Sequence, residues 1–196
     1  MLRELRNRLS RWAIPYLTET LIIGQVLVYV AIYVLPQPGG GVEIGQANED
    51  LLLRLELIPI AVLQGEIWRV LTFLFVPPVT NPIFAFFFWY IFYLMGTTLE
   101  AQWGTPRYNL YLLVGYVGTV GTSFITPQAM PGNAFLQGTG FLAFAYLYPN
   151  FVLHLFLILP VRIKWLALLT WIGYFFAFAF GPWPVRLPIL GSLCNY

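Results

Sequence analysis

The sequence predicts an all-α integral membrane protein, built as a bundle of five to six transmembrane helices with a cytoplasmic N-terminus. Of its 196 residues, 59% are hydrophobic and only 9% are charged. A soluble domain carries about a quarter charged residues, so this chain has too few charged groups for a water-soluble surface. No Asp, Glu, Lys or Arg lies between Arg107 and Arg162, which leaves room for two crossings of about 20 residues each.

Residues 1–19 form the first predicted segment, a basic amphipathic helix at the cytoplasmic lipid surface. Its leucines and Trp12 share one helical face, and arginines occupy the rest: Arg3, Arg6, Arg8 and Arg11. An apolar face bordered by arginine is typical of helices that lie in the membrane interface. A solvated basic tail is the alternative interpretation.

Residues 20–196 are predicted to form the transmembrane domain. Hydrophobic runs place its spans at about 20–35, 83–99, 108–125, 138–159 and 163–180, with a partial sixth from about 186. An acidic loop precedes the second span. The uncharged stretch 126–137 is rich in Pro, Gly and Gln, and such irregular backbone is expected to dip into the membrane only where protein shields it.

The distribution of basic residues sets the expected topology. With the N-terminus inside, seven basic residues are cytoplasmic (Arg3, Arg6, Arg8, Arg11, Arg107, Arg162, Lys164) and three are external (Arg54, Arg69, Arg186). This bias follows the positive-inside rule. The excess of arginine over lysine and the compact loops favour a bacterial inner membrane as the location.

Two spans carry features of helix contact. The third has Gly115, Gly118 and Gly121, and small residues at such spacings indicate close approach of another helix. The second is strongly aromatic, which is more typical of a lipid-facing or helix-packing surface than of a cofactor site.

The stretch QGTGFLAFAYLYPN, residues 137–150, places a hydroxyl between two glycines, Gly138-Thr139-Gly140. Glycine on both sides lets another backbone come close. The pattern therefore indicates either tight helix packing or a nucleophile that a substrate backbone can reach.

Four segments together resemble the rhomboid superfamily. GEIWRVLTFLF, with Trp68 and Arg69, is similar to its first-loop Trp-Arg segment. LMGTTLEAQWGTPRYNLYLLVG resembles its turn between helices two and three, with Glu100, Gly104 and Arg107 in the Glu and Gly-x-x-Arg positions. QGTGFLAFAYLYPN and the following LILPVRIKWLAL resemble the Gly-x-Ser-Gly helix and the segment after it. The resemblance covers roughly residues 60–180 and implies a rhomboid fold with a short fourth helix opening on an outer cavity.

The resemblance also implies what an active member needs: a serine on the fourth helix and a histidine on the sixth. Thr139 stands at the serine position, and Ser192 lies near the place of the histidine. A hydroxyl is a poor nucleophile without a neighbouring base, and Ser192 cannot be a base near neutral pH. No catalytic residue is therefore expected, and Thr139 and Ser192 are interpreted as degenerate positions.

Three motif residues have structural interpretations beside the functional one. Trp68 and Arg69 could form a partner-binding loop. The favoured interpretation is structural: Trp68 lies at the membrane interface, and Arg69 bonds to backbone carbonyls of the loop. Glu100 is expected to pair with Arg107 or to cap the next helix.

His154 is the only histidine, and Cys194 the only cysteine. The spacing of His154 from Thr139, about 22 Å along one helix, makes it a poor base for that hydroxyl. Helix packing is the favoured role of His154, and binding of haem or chlorophyll is the weaker alternative. No cofactor or metal is expected.

These observations favour a catalytically inactive rhomboid-like protein that binds other transmembrane proteins, as an adaptor or as a structural subunit of a membrane complex. Its expected partners are transmembrane helices and the lipid bilayer, and no nucleic acid. Two alternatives stay open. One is an intramembrane protease that uses Thr139, and the other is a pigment- or haem-binding subunit that uses His154.

Overall fold

The computed structural model describes residues 13–35, 48–125, 134–155, 159–181 and 186, and these are mostly helical. In chain order the elements are α1 (Leu17–Tyr33), α2 (Glu49–Leu55), α3 (Pro59–Leu63), α4 (Arg69–Thr72), a 3-10 turn (Phe73–Phe75), α5 (Pro82–Trp103), α6 (Thr105–Ile125), α7 (Ala134–Leu147), β1 (Val152–Leu155), β2 (Leu159–Arg162) and α8 (Ile163–Phe180). The segments predicted as the first, second, third and fifth spans overlap the helices α1, α5, α6 and α8.

Two of these helices, α5 and α8, are long and apolar enough to cross a membrane. α1 and residues 138–147 of α7 are apolar but shorter. α6 has 21 residues, but its tyrosine, glycine, threonine and asparagine side chains dilute its hydrophobicity. Length and composition thus identify two candidate crossings in the described part of the chain, where the sequence predicted five to six spans.

Local signals define both ends of α5. The Asn81 side chain accepts hydrogen bonds from the backbone N–H groups of Ile83 and Phe84, at 3.0 and 3.4 Å, and Pro82 occupies the first turn. The helix ends at Gly104, whose φ of 80° is a conformation that glycine adopts without steric cost. Since α6 begins at the next residue, this single glycine turns the chain between two packed helices.

Helices α5, α6, α7 and α8 share one hydrophobic core. Its buried members are Met95, Leu99, Tyr108, Leu112, Ala143, Phe144, Ala145 and Ile163. α6 contributes through a single face, because its buried residues recur every three or four positions: Tyr108, Leu112, Gly115, Thr119 and Ser123. The core therefore holds α7, the helix that carries Thr139, against three neighbouring helices.

A buried polar contact fastens α1 to α5 and α6. The Thr18 Oγ1 and Tyr108 hydroxyl oxygens lie 2.6 Å apart, out of contact with solvent. Gly96 of α5 lies against this pair: a Cβ built there would be 2.4 Å from Thr18 Oγ1 and 2.8 Å from the Tyr108 hydroxyl. The close approach of the three helices depends on the absence of a side chain at Gly96.

Gln25 is a second polar anchor of α1. Its side-chain amide donates to the Leu74 carbonyl at 3.0 Å and accepts from the Trp89 indole N–H at 3.1 Å. Only 1% of this residue is exposed, so both bonds form away from water, where an unpaired amide is costly. Gln25 thus ties the loop before α5 to α1 and to α5 itself.

The fourth predicted span, 138–159, does not continue as a helix. α7 ends at Leu147, and the strands Val152–Leu155 and Leu159–Arg162 pair antiparallel, with Val152 opposite Arg162 and His154 opposite Pro160. Pro149 accounts for the end of the helix, because proline has no N–H to donate and disfavours helical backbone at the residue before it. The all-α prediction is therefore wrong for this segment.

The other predicted helix boundaries differ less from those in the structure. α1 begins at Leu17, within the segment assigned to the amphipathic N-terminus, and α7 begins at Ala134, four residues before Gly138. Residues 1–12, 126–133 and the sixth predicted span after Arg186 lie outside the described residues, and the predictions for them stay predictions.

Candidate functional site

Thr139 lies on the buried side of α7. Its exposed fraction is 0%, and the Tyr111 hydroxyl of α6 donates to its backbone carbonyl at 2.9 Å. A nucleophile must meet a substrate carbonyl at about 3 Å, and a side chain with no accessible surface cannot do so in this conformation. Of the two uses of the Gly-Thr-Gly pattern, the geometry fits helix packing.

Gly138 faces α8. A Cβ built on Gly138 would lie 1.9 Å from the Tyr174 hydroxyl oxygen and 3.2 Å from the ring carbon that carries it. Tyr174 is a residue that the sequence analysis did not single out. Its position shows that the first glycine of the pattern makes room for a side chain of the neighbouring helix.

The steric role of Gly138 can be tested with a double-mutant cycle. Gly138→Ala is expected to displace Tyr174, and Tyr174→Phe should remove the clash with the hydroxyl oxygen. The expected coupling between the two changes is about 1 kcal/mol, because overpacking costs roughly 1–3 kcal/mol and a long side chain can partly move away. Unfolding by SDS in mixed micelles measures it, and additive effects of the two changes would contradict this contact.

Gly140 has a different environment. No atom lies within 4 Å of a Cβ built on it, and it borders a cavity of about 20 Å³ with Phe141, Tyr108 and Leu99 among its lining residues. A cavity of this size holds at most one water molecule. It is too small for a peptide segment, so it provides no substrate site beside Thr139.

Neither His154 nor Ser192 is brought to Thr139 by any described contact. The backbone of His154 belongs to β1, opposite Pro160, and its side chain lies outside the part of the chain that the structure describes, as does Ser192. Because α7 ends at Leu147, the estimate of the distance between Thr139 and His154 along one continuous helix does not apply.

Arg69 is buried in the first loop, which is the segment between α1 and α5 that contains α2, α3 and α4. Only 7% of Arg69 is exposed, and its guanidinium donates to the Glu66 carboxylate, to the Leu53 carbonyl and, at 3.1 Å, to the Glu56 carbonyl. Five N–H donors in one plane suit such a set of acceptors. Its neighbour Trp68 is half exposed, at 51%. The contacts of Arg69 are therefore those of a loop clamp that joins α2 to α4.

Glu56, beside this clamp, gives a pH-dependent prediction. Burial raises the pKa of its carboxyl above the ordinary 4.5, and the charge of Arg69 partly offsets the rise. The folded loop therefore binds this proton more tightly than the unfolded loop does. The resulting stabilisation is present below pH 4.5 and is lost as the pH rises through the folded-state pKa.

Glu56→Gln is accordingly expected to stabilise the loop at neutral pH and to flatten its pH profile. Amide hydrogen exchange of residues 51–72, measured from about pH 5 to about pH 8 and corrected for the intrinsic rate, reports this. Protection in the wild type should fall relative to the variant as the pH rises. Parallel profiles would contradict the assignment.

Glu100 receives a bond from the helix that follows it. The Thr105 hydroxyl donates to its carboxylate at 2.8 Å, and the Gly104 N–H donates to its carbonyl at 2.8 Å. No ion pair with Arg107 is present among the described residues. Of the two expected roles, the contacts fit the capping of the turn between α5 and α6.

The three glycines of α6 lie in three different environments. Gly115 is buried, Gly118 is half-buried and Gly121 is exposed. Nothing lies within 4 Å of a Cβ built on Gly121. Steps of three residues rotate around a helix by about 60° each, so these glycines do not form one contact surface within the chain.

The described residues contain no group of three or more His, Cys, Asp or Glu that could hold a metal ion. No protein-family model matches the chain, and no curated protein or solved structure matches it. The resemblance to the rhomboid superfamily therefore rests on the four sequence segments alone.

Sequence reasoning missed the residues that join the helices. Gln25, Gly96 and Tyr174 carry the contacts described above, yet none was singled out, although Gly96 lies within the segment LMGTTLEAQWGTPRYNLYLLVG. For Gln25 a signal was present, because a single amide inside an apolar run indicates a buried hydrogen-bonding role. The spacing of Gly96 and Tyr174 gave no comparable signal.

Proposed function

We propose that the chain is a catalytically inactive, rhomboid-like integral membrane protein that binds transmembrane helices of other proteins, as an adaptor or as a structural subunit of a complex. The observation that carries the inactive part is the complete burial of Thr139. Because the packed helices cover the Thr139 hydroxyl, it contributes to the contact between them and is out of reach of a substrate carbonyl.

The exposed surface of α8 supports insertion in a membrane. Large apolar side chains cover it: Trp165, Leu168, Leu169, Trp171, Ile172, Phe175, Phe176, Phe178 and Phe180 are all exposed. Contiguous apolar surface of this extent is rare on soluble proteins. In a bilayer the same side chains lie in hydrocarbon at no cost, which agrees with the length and composition of α5 and α8.

The outer face of α6 supports the binding of a partner helix. Leu113 and Val117 are exposed there, and Gly121 follows with open space around it. A glycine on an open helical face lets a second backbone approach closely, and van der Waals packing of that kind drives association in lipid. This face is the proposed site for a transmembrane segment of a partner protein.

A reconstitution experiment tests the binding. The protein and a fluorescently labelled single-span membrane protein are placed in the same vesicles, and energy transfer between them is measured. Gly121→Leu should lower binding about tenfold or more by filling the open face. Gly173→Leu is the matched control, since Gly173 of α8 is also exposed and also has nothing within 4 Å. Equal loss in both variants, or no binding by the wild type, would refute this site.

The same samples decide between this function and an intramembrane protease. Mass spectrometry of the single-span protein should find it intact after incubation with the wild type. Cleavage by the wild type that Thr139→Ala abolishes would make the protease correct and the inactive scaffold wrong.

A further inference from the structure

One face of α5 exposes hydroxyl groups in the middle of the helix, where the exposed residues of α1, α6 and α8 carry none. Ile83, Phe86, Tyr90 and Tyr93 follow one another at steps of three, four and three residues, and all are at least 49% exposed. These four residues form the α5 stripe. Steps that alternate between three and four give the 3.5-residue repeat of helices that pack side by side.

The depth of the two tyrosines makes their exposure unusual. α5 has 22 residues, and at 1.5 Å per residue Tyr90 and Tyr93 lie about 12 and 16 Å from its first residue. The hydrocarbon core is about 30 Å thick. Lipid-facing tyrosines are concentrated at the membrane interfaces. A helical side chain leans towards the N-terminus of its helix, but Tyr93 still lies well inside the hydrocarbon core.

The other helices provide the contrast. Away from the helix ends, the exposed side chains of α1, α6 and α8 carry no hydroxyl group: Ile23, Leu27 and Val30 on α1 are examples, as are Leu113 and Val117 on α6 and Leu168 and Leu169 on α8. Those faces need no hydrogen-bonding partner inside the membrane. Within the described part of the chain no hydrogen bond satisfies the Tyr90 or Tyr93 hydroxyl, and a lipid tail offers no acceptor, so the α5 stripe calls for a polar partner at the same depth.

We propose that the α5 stripe is the contact surface of a parallel homodimer, in which the Tyr90 and Tyr93 hydroxyls bond to those of a second copy. This inference rests on the proposed insertion of the chain in a membrane. Copies inserted by the same charge bias have the same orientation, so a twofold axis along the membrane normal brings identical residues together at one depth. A hydroxyl both donates and accepts, and identical tyrosines are therefore complementary to each other.

Cysteine cross-linking tests the dimer in native membranes. In a Cys194→Ser background, which removes the sole cysteine, Phe86→Cys places a thiol on the α5 stripe and Leu169→Cys places one on α8. The two sites are 63% and 66% exposed, so they match in accessibility. Mild oxidation should give at least about tenfold more disulfide dimer at position 86 than at position 169, because only the α5 stripe contacts the second copy of the chain.

A second change isolates the hydroxyls. Tyr90→Phe with Tyr93→Phe keeps both rings and removes both oxygens. It should reduce cross-linking at position 86 about tenfold, because the interhelical hydrogen bonds of both hydroxyls are lost. Equal cross-linking at 86 and 169, or yield unaffected by the two Phe changes, would overturn the proposal in favour of lipid or a foreign helix on this face.

Failure of membrane insertion can be told apart from failure of the dimer. A membrane-impermeant maleimide should leave both cysteines unmodified in a chain that spans the bilayer. Reaction at both sites would refute the insertion on which the inference rests. Protection at both sites without preferential cross-linking would refute the homodimer alone.

Discussion

Gly96→Ala is expected to lower the free energy of unfolding by about 2 kcal/mol. The new Cβ would lie 2.4 and 2.5 Å from Thr18 Oγ1 and Cγ2 and 2.8 Å from the Tyr108 hydroxyl. Threonine is short and sits on α1, so it cannot turn aside as the end of a long side chain can. Relief requires α1 to move, which costs roughly 1–3 kcal/mol of overpacking together with the buried Thr18–Tyr108 hydrogen bond.

Gly121→Ala is the matched control for that change. Both glycines lie inside long helices, but nothing is within 4 Å of a Cβ built on Gly121. Alanine there should leave stability unchanged or raise it by up to about 1 kcal/mol, from helix propensity alone. SDS unfolding in mixed micelles, followed by circular dichroism, compares the two variants. Equal stability of both would show that α1 does not pack on Gly96 as described.

Arg69→Met is expected to destabilise the first loop by about 2 kcal/mol. It leaves the Leu53 and Glu56 carbonyls without their donor and the Glu66 carboxylate, 38% exposed, without its cation. Breaking a buried ion pair costs roughly 3–5 kcal/mol, and the water that reaches Glu66 reduces that figure. Arg69→Lys should fall in between, because a single ammonium group cannot reach all three acceptors that the guanidinium holds.

Hydrogen exchange of the amides between residues 51 and 76 measures the Arg69 effect locally, and SDS unfolding measures it globally. Arg54→Met serves as the control, since Arg54 is an exposed cation on the same loop and exposed substitutions of this kind usually fall within about 0.5 kcal/mol. Similar losses of protection in the Arg54 and Arg69 variants would mean that the loop depends on its net charge and not on the clamp.

The positions of the main helices could be predicted from the sequence because their signals are local. An apolar run, Asn81 and Pro82 at its start, and Gly104 at its end are enough to place α5 within a few residues. The end of α7 could in principle have been predicted from the sequence in the same way. Pro149 breaks the helix by its own chemistry, yet the prediction extended the span to 159 because the apolar run continues through the strands.

The candidate site was less predictable than the helices. The Gly-Thr-Gly pattern by itself fits both packing and a nucleophile, and the sequence analysis expected no catalytic role for Thr139. The burial of Thr139 and the approach of Tyr174 to Gly138 fit packing. The two carbonyl acceptors of Arg69 lie 13 and 16 residues before it, too far for any helical or turn pattern to indicate which carbonyls they are.

By itself, the sequence determined that this chain is mostly helical and strongly apolar, since composition, hydrophobic runs and caps act over a few neighbouring residues. The tertiary structure decided which residue faces which. Gly96 and Gly121 look alike in the sequence, yet one is pressed against Thr18 and the other opens on empty space. Thr139 is covered, whereas Tyr90 and Tyr93 are not. The reason is physical: an apolar helix has no polar face to orient it, so only the neighbouring helices settle which side is buried.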